Sequence, residues 1–259
     1  MTFLRLSSLS YRNAEPCTAD ESEWGEQRKT MMKIGIIGSG NMGRAIGVRL
    51  SDLGHDLFFG ARRREQADDA AALAKKGAKA GPNMQAAAFA DIIIWTIRTS
   101  DPSEVLADPT ILEGKIVIDL NNRDYSEGVR NGGWFETAIA EDLQAALPKA
   151  HIVKALNTIA METFDTTPQK LREAGAQTFL AGANEDAKRL VADLVGDLGF
   201  EAVDLGSGRA AYRAAEALGD VIRLLMIDGG KGGRAHLVLS RLPKPDLSSI
   251  GERGPSEYH

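Results

Sequence analysis

Six consecutive residues carry the first chemistry in this chain: Gly38, Ser39, Gly40, Asn41, Met42 and Gly43. They form a G-x-G-x-x-G run set directly between an apolar stretch, Lys33–Ile37, and an amphipathic one that continues to Leu53. That placement makes the run a dinucleotide fingerprint rather than a chance spacing. Gly38 permits the tight turn, Gly40 lets a pyrophosphate reach backbone N–H groups, and Gly43 lets the following helix lie close to the sheet. The helix N-terminus then faces the anion. A second set of residues names the nucleotide. About twenty residues further on, the next apolar stretch ends Phe58-Phe59-Gly60-Ala61-Arg62-Arg63-Arg64, with no acid at its tip. An Asp or Glu there would bond a ribose 2′-hydroxyl, whereas guanidinium forks match the oxygens of a 2′-phosphate. Ala61, Arg62 and Arg63 therefore predict NADP(H) as the cofactor, with Thr96, Ile97 and Asn121 at later strand ends completing its site.

The usual partners of a nicotinamide in acid–base chemistry are missing. No Tyr is followed four residues later by Lys, there is no G-x-S-x-G, and no metal-ligand spacing occurs. Of the four histidines, His55 lies in a turn, read as surface, and His151 opens a strand at the end away from a carboxyl-edge site. Lys154-Ala-Leu-Asn157 matches the K-x-x-N of β-hydroxyacid dehydrogenases. It follows His-Ile-Val and reads as a strand, so Lys154 and Asn157 do not share a face as they would on a helix. No catalytic acid or base is assigned. Positioning falls instead to Asn157, Thr158 and Ile159, just past a strand end.

The elements that must hold these residues alternate regularly. Short apolar runs at 33–37, 56–59, 91–97, 115–120, 151–156, 177–181 and 201–205 are separated by amphipathic stretches. Continuous runs such as Ile92-Ile93-Ile94-Trp95 suit strands buried on both faces. Residues 184–198 carry apolar side chains at three- and four-residue steps behind Asn184, a helix N-cap. The fold class is α/β, a doubly wound, mostly parallel Rossmann sheet. The domain reading is a disordered tail over residues 1–30, a dinucleotide-binding domain over 31–206, and a helical C-terminal appendage with a loose tail over 207–259. A helix over Ala210–Met226 opens that appendage. The glycine-rich run Asp228–Arg234 follows it as a hinge or loop.

Composition narrows the class. Of 259 residues 43% are hydrophobic and 26% charged, which is ordinary for a globular chain. The net charge of −5 argues against nucleic acid, and no apolar run is long enough to predict a membrane span. One cysteine, Cys17, excludes an internal disulfide and fits a reducing, cytoplasmic setting.

The segment Lys33–Arg63, with GSGNMG and the Gly-Ala-Arg strand end, resembles the F420-dependent NADP reductases. The likeness continues through Asp91–Ile97, Val153-Lys-Ala-Leu-Asn-Thr-Ile159, Phe179-Leu-Ala-Gly182 and Val203-Asp-Leu-Gly206. The resemblance implies hydride transfer between NADPH and the deazaflavin coenzyme F420, with the two rings stacked at the carboxyl ends of the strands. Such a reaction needs alignment more than a strong protein acid. It also implies a home for an anionic second substrate, for which Arg98, Asn157 and Arg209 are the candidates, with Arg123 and Arg213 as further cations. Relatives are often dimers, and a homodimer using Leu224, Leu225 and Met226 is expected. Arg98 departs from the family, in which many members place Pro. The alternatives are an imine, ketone or hydroxyacid reductase, or a non-catalytic NADPH-binding sensor.

Overall fold

A computed structural model describes residues 31–123 and 137–240. The expectations for the 1–30 tail, for Cys17 and for the tail from Pro243 lie outside the described residues. Eight strands form one sheet: β1 (Lys33–Ile37), β2 (Asp56–Gly60), β3 (Lys79–Gly81), β4 (Ile92–Trp95), β5 (Ile116–Asp119), β6 (His151–Lys154), β7 (Gln177–Gly182) and β8 (Glu201–Asp204). Their order is β3-β2-β1-β4-β5-β6-β7-β8. The first six are parallel, and the order reverses at β1/β4, where open α/β sheets take their ligands.

Alternation along the strands explains their near-continuous apolar sequence. Ile34, Ile36, Ile92 and Ile94 face one side of the sheet, against α1 (Asn41–Asp52), α2 (Arg64–Ala74) and, further along, α6 (Glu185–Asp197). Ile37, Ile93, Trp95 and Val117 face the other, against α3 (Asn83–Phe89), α4 (Ile139–Ala146) and α7 (Gly208–Met226). The central strands thus fill two cores, as parallel sheets require, while the edge strand β8 has no fully buried residue. A six-residue helix, α5 (Pro168–Glu173), stands between β6 and β7. Asn184 caps α6 by accepting from the Ala187 N–H at 2.8 Å.

Three features differ from the sequence reading. β3 is an added strand; its Lys-Ala-Gly carries no apolar run, and pairing with β2 alone makes it a strand. His55 is buried, 6% exposed, with its Nδ1 accepting the Met32 N–H at 3.3 Å, so it anchors the start of β1 instead of decorating the surface. The third feature matters most: β7 runs antiparallel to β6, pairing Val153 with Gly182 and Lys154 with Ala181. β8 follows β7 in parallel, so both strands point away from the carboxyl edge of the first six.

That reversal returns α7 across the sheet toward the carboxyl edge. Near its start, the buried Tyr212 donates to the Ile152 carbonyl at 2.9 Å. Further on, Gly219 presses against the end of β5, where a Cβ would overlap the Asn122 amide. The glycine-rich run after α7 acquires a purpose here. The N–H groups of Ile227, Gly229, Lys231 and Gly232 donate to the carbonyls of Arg223, Leu224, Leu225 and Met226, at 2.8–3.1 Å. These are the four carbonyls that a helix end leaves without partners.

Candidate active site

The fingerprint loop is built by local bonds. Gly38 adopts φ +102°, and its N–H donates to the Gly60 carbonyl at 3.0 Å; the buried Ser39 hydroxyl donates to the same oxygen at 2.9 Å. Thr96, past the end of β4, donates its hydroxyl to the carbonyls of Ile37 and Gly38 at 3.1 and 2.5 Å. A Cβ on Gly43 would overlap the Gly38 carbonyl oxygen, so α1 starts as close to the strand as the motif demands. Gly40 is the N-cap of α1, with no side-chain cap and no acid in the first turn, which leaves the N–H groups there for an anion.

A cleft of about 920 Å³ opens over this loop. Gly38, Ser39, Gly40, Ala61, Arg62, Arg63, Thr96, Ile97 and Arg98 line it, all of them expected from sequence. Gln66, Glu104 and Val105 line it too and were not expected. Gln66 reaches inward from the first turn of α2, and Glu104 and Val105 arrive with a 3-10 turn at Pro102–Glu104. No periodicity marks either as a cofactor neighbour.

A second cavity, of about 290 Å³, shares Thr96 and Arg98 with the cleft. Met42 stands on its α1 side, Asn121 and Asn122 on its β5 side, and Asn157, Thr158, Ile159 and Ala160 on its β6 side. Ile222, Arg223 and Met226 close it from the last turns of α7. Sequence reasoning did not bring these three to the site, and it gave Met226 to a dimer surface; only the reversal at β7 brings them to this edge. Leu156, at φ +58°, turns the chain so that Asn157–Ile159 face the cavity, a left-handed conformation costly for a γ-branched residue. Asn157 and Asn122 lock each other: Asn157 Nδ2 donates to Asn122 Oδ1 at 2.8 Å and to the Ala215 carbonyl at 2.7 Å, while Asn122 Nδ2 donates to the Asn157 carbonyl at 2.7 Å. Asn157 Oδ1 and Thr158 Oγ1 are buried with no protein partner. Unpartnered buried polar atoms are rare, and their place is often that of a ligand.

Lys154 is sealed beneath this floor. Its Nζ lies 2.8 Å from Asp119 Oδ2, 3.3 Å from Glu216 Oε2 and 2.5 Å from the Asn121 carbonyl, and all three side chains are fully buried. Glu216 also accepts the N–H groups of Arg123 at 2.7 Å and Ile139 at 2.9 Å. Asp119 accepts both the N–H and the side-chain amide of Asn121, at 3.0 Å each. The lysine therefore ties β5, β6 and α7 together and does not face the cavity. Arg209 does not reach it either. With Arg213, it pairs with Glu141 on α4, at 3.1 and 2.9 Å. The Arg213 guanidinium holds the Glu141 carboxyl below the usual carboxylate range. Arg123 is bound to Thr137 and Asp142. On the α7 side, burial pushes the Asp220 carboxyl up to about 6, with Arg223 and Lys154 opposing and Glu216 adding to the rise.

Residues 33–123 match the model of a family described as NADP oxidoreductase, coenzyme F420-dependent. The match covers about a third of the chain, the part that carries the nucleotide cleft, and the chain is similar to this family there. A crystal structure assigned as an F420-dependent NADP reductase from Arthrobacter sp. FB24 is 25% identical, with a TM-score of 0.68 over 81% of this chain and 100% of that one. Among curated proteins, the metalloreductase STEAP3 of Rattus norvegicus is 27% identical over 74% of this chain and 37% of its own length. The metalloreductase STEAP2 of Mus musculus is 26% identical over 67% and 33%. The chain thus spans about a third of the length of these relatives. An imine reductase from Pseudomonas sp. shares the fold at 18% identity, with a TM-score of 0.52 over 72% of this chain and 59% of the reductase. Among the described residues no helix is long and apolar enough to cross a membrane, and no group of His, Cys, Asp and Glu could hold a metal ion.

Proposed function

We propose that this protein is an NADPH-dependent oxidoreductase that passes a hydride between NADP(H) and a second ring cofactor of the F420 type. One observation carries the reading: among the described residues, the cavity beside the nucleotide cleft is lined by amides, hydroxyls, apolar groups and two guanidiniums, with no carboxylate, imidazole, phenol or amine. A carbonyl or imine needs a proton delivered as the hydride arrives, whereas a ring cofactor already carries its own chemistry. Bound NADPH would supply the hydride. The α1 N-terminus and Gly38–Gly40 would hold the pyrophosphate, and Arg62 and Arg63 the 2′-phosphate. Asn157 Oδ1 and the Thr158 hydroxyl, an acceptor beside a donor, suit the nicotinamide carboxamide. Arg98 and Arg223 stand where an anionic second substrate would enter. Keeping Lys154 out of the cavity counts against the hydroxyacid and ketone alternative. The likeness to metalloreductases makes a metal chelate the second reading, met by the same cleft and a different acceptor. The family reading also carries a homodimer in the cytoplasm, with the exposed Leu224 and Leu225 covered by the partner, which sedimentation velocity checks.

The test is to mix the protein with NADP+ and reduced F420 and follow the deazaflavin absorbance. Turnover supports the proposal. Bound NADP+ with no F420 oxidation, and reduction of a ferric chelate by NADPH, would move the assignment to the second reading.

A further inference from the structure

A separate cavity of about 210 Å³ lies on the far side of the loop that follows β6. Its floor is apolar: Leu171, Ala176 and Phe200 are buried there, and Phe200 meets Phe164 edge to face at 6.1 Å. Its rim is basic and polar, with Lys170 on α5, Arg234 and His236 on the segment after the glycine-rich run, and the hydroxyls of Thr163 and Thr166. Among the described residues no carboxylate lines it, and none of the three basic side chains has an ion-pair partner. The segment that carries Arg234 and His236 is fastened in place. Buried Gln177 accepts the Leu239 N–H at 2.6 Å and donates to the Leu239 carbonyl at 3.3 Å. A cavity of about 150 Å³ lined by apolar side chains takes up benzene. This one has room for a single ring, with a basic rim where a carboxylate would end.

We propose that this cavity is a binding site for a small apolar carboxylate, its ring or short branched chain on Phe200 and Leu171 and its carboxylate between Lys170, Arg234 and His236. The site is independent of the nucleotide cleft, with which it shares no residue. Benzoate is the probe and benzamide its neutral isostere.

The experiment titrates benzoate by calorimetry and follows the His236 ring resonances by NMR, assigned with His236→Gln. The expected result is saturable binding that shifts His236 and persists with NADP+ bound. Benzamide should bind at least ~10-fold more weakly, and Lys170→Gln with Arg234→Gln should weaken benzoate by a similar factor. Both substitutions are at exposed positions, and an unchanged NADP+ affinity confirms that the variant is folded. No saturable binding up to ~10 mM overturns the proposal. So does equal affinity for benzoate and benzamide, loss of benzoate when NADP+ is added, or binding that ignores the double substitution.

Discussion

Replacing Asp220 with Asn should stabilise the protein above neutral pH and leave it nearly unchanged in acid. The side chain sits one turn after Glu216 on α7, and its Oδ1 is buried with no hydrogen-bond partner. Burial pushes the carboxyl up from 3.8 to about 6, Glu216 adds to the rise, and Arg223 and Lys154 oppose it. Between those two values the folded protein holds a proton that the unfolded chain has lost. The contribution is therefore fully present below the unfolded value, and stability falls as pH rises through the folded one. A shift of about two units corresponds to at most ~3 kcal/mol at ~1.4 kcal/mol per unit, and partial solvent access reduces that to ~1–2 kcal/mol. For a domain of this size each kcal/mol moves the Tm by ~2–4 °C. Thermal melts of both proteins from pH 4 to pH 8 are the assay. The Asn variant should gain ~2–8 °C at pH 8 and converge with the parent near pH 4. A constant difference across that range, or a gain confined to acid, would refute the reasoning.

Three further expectations follow from the site. Changing Arg62 and Arg63 together to Ala should weaken NADPH by ~1–3 kcal/mol and leave NADH nearly untouched, read as Kd values for both nucleotides. Gly219→Ala should force α7 off the end of β5 at a cost of ~1–3 kcal/mol in urea unfolding, with the Asn122–Asn157 lock loosened and KM raised. Lys154→Met leaves two buried carboxylates without their cation and should cost ~3–5 kcal/mol. Any activity lost in that variant should follow the folded fraction in a melt, whereas an acid–base lysine would lose turnover in a folded enzyme.

The first half of the molecule was legible because its rules are local. GSGNMG sits between a strand and a helix, Arg62 and Arg63 follow the end of β2, and the Ile92–Trp95 run suits a strand covered on both sides. Asn157, Thr158 and Ile159 were found because they follow a strand end, and the structure brings all three to one cavity. Arg209 was misplaced for the opposite reason. A strand's direction is not written in its own residues, and β7 looks the same whether it runs with β6 or against it. Reversal sends the turn before Arg209 to the far edge, and it brings Ile222, Arg223 and Met226 to the near one. Lys154 posed a similar problem. Its strand setting was readable, but Glu216, sixty-two positions later, is what holds it in place.

The C-terminal helix is held in two different ways along its length, which divides its stability. Its first turns are fixed by Tyr212, Ala215 and Glu216, all bonded into the sheet, and opening them would strand buried charges. Its last turn is held by the glycine-rich loop that occupies its final carbonyls, and Leu224 and Leu225 are exposed there. Amide hydrogen exchange along this one helix should therefore fall into two classes. The N–H groups of residues 212–219 should exchange only with global unfolding, while those from Leu224 through Gly232 exchange together by local opening. The wall formed by Ile222, Arg223 and Met226 straddles that boundary: Ile222 is buried and Arg223 is tied to the Arg123 carbonyl at 2.9 Å, so local opening should loosen Met226 first while the nucleotide cleft stays folded.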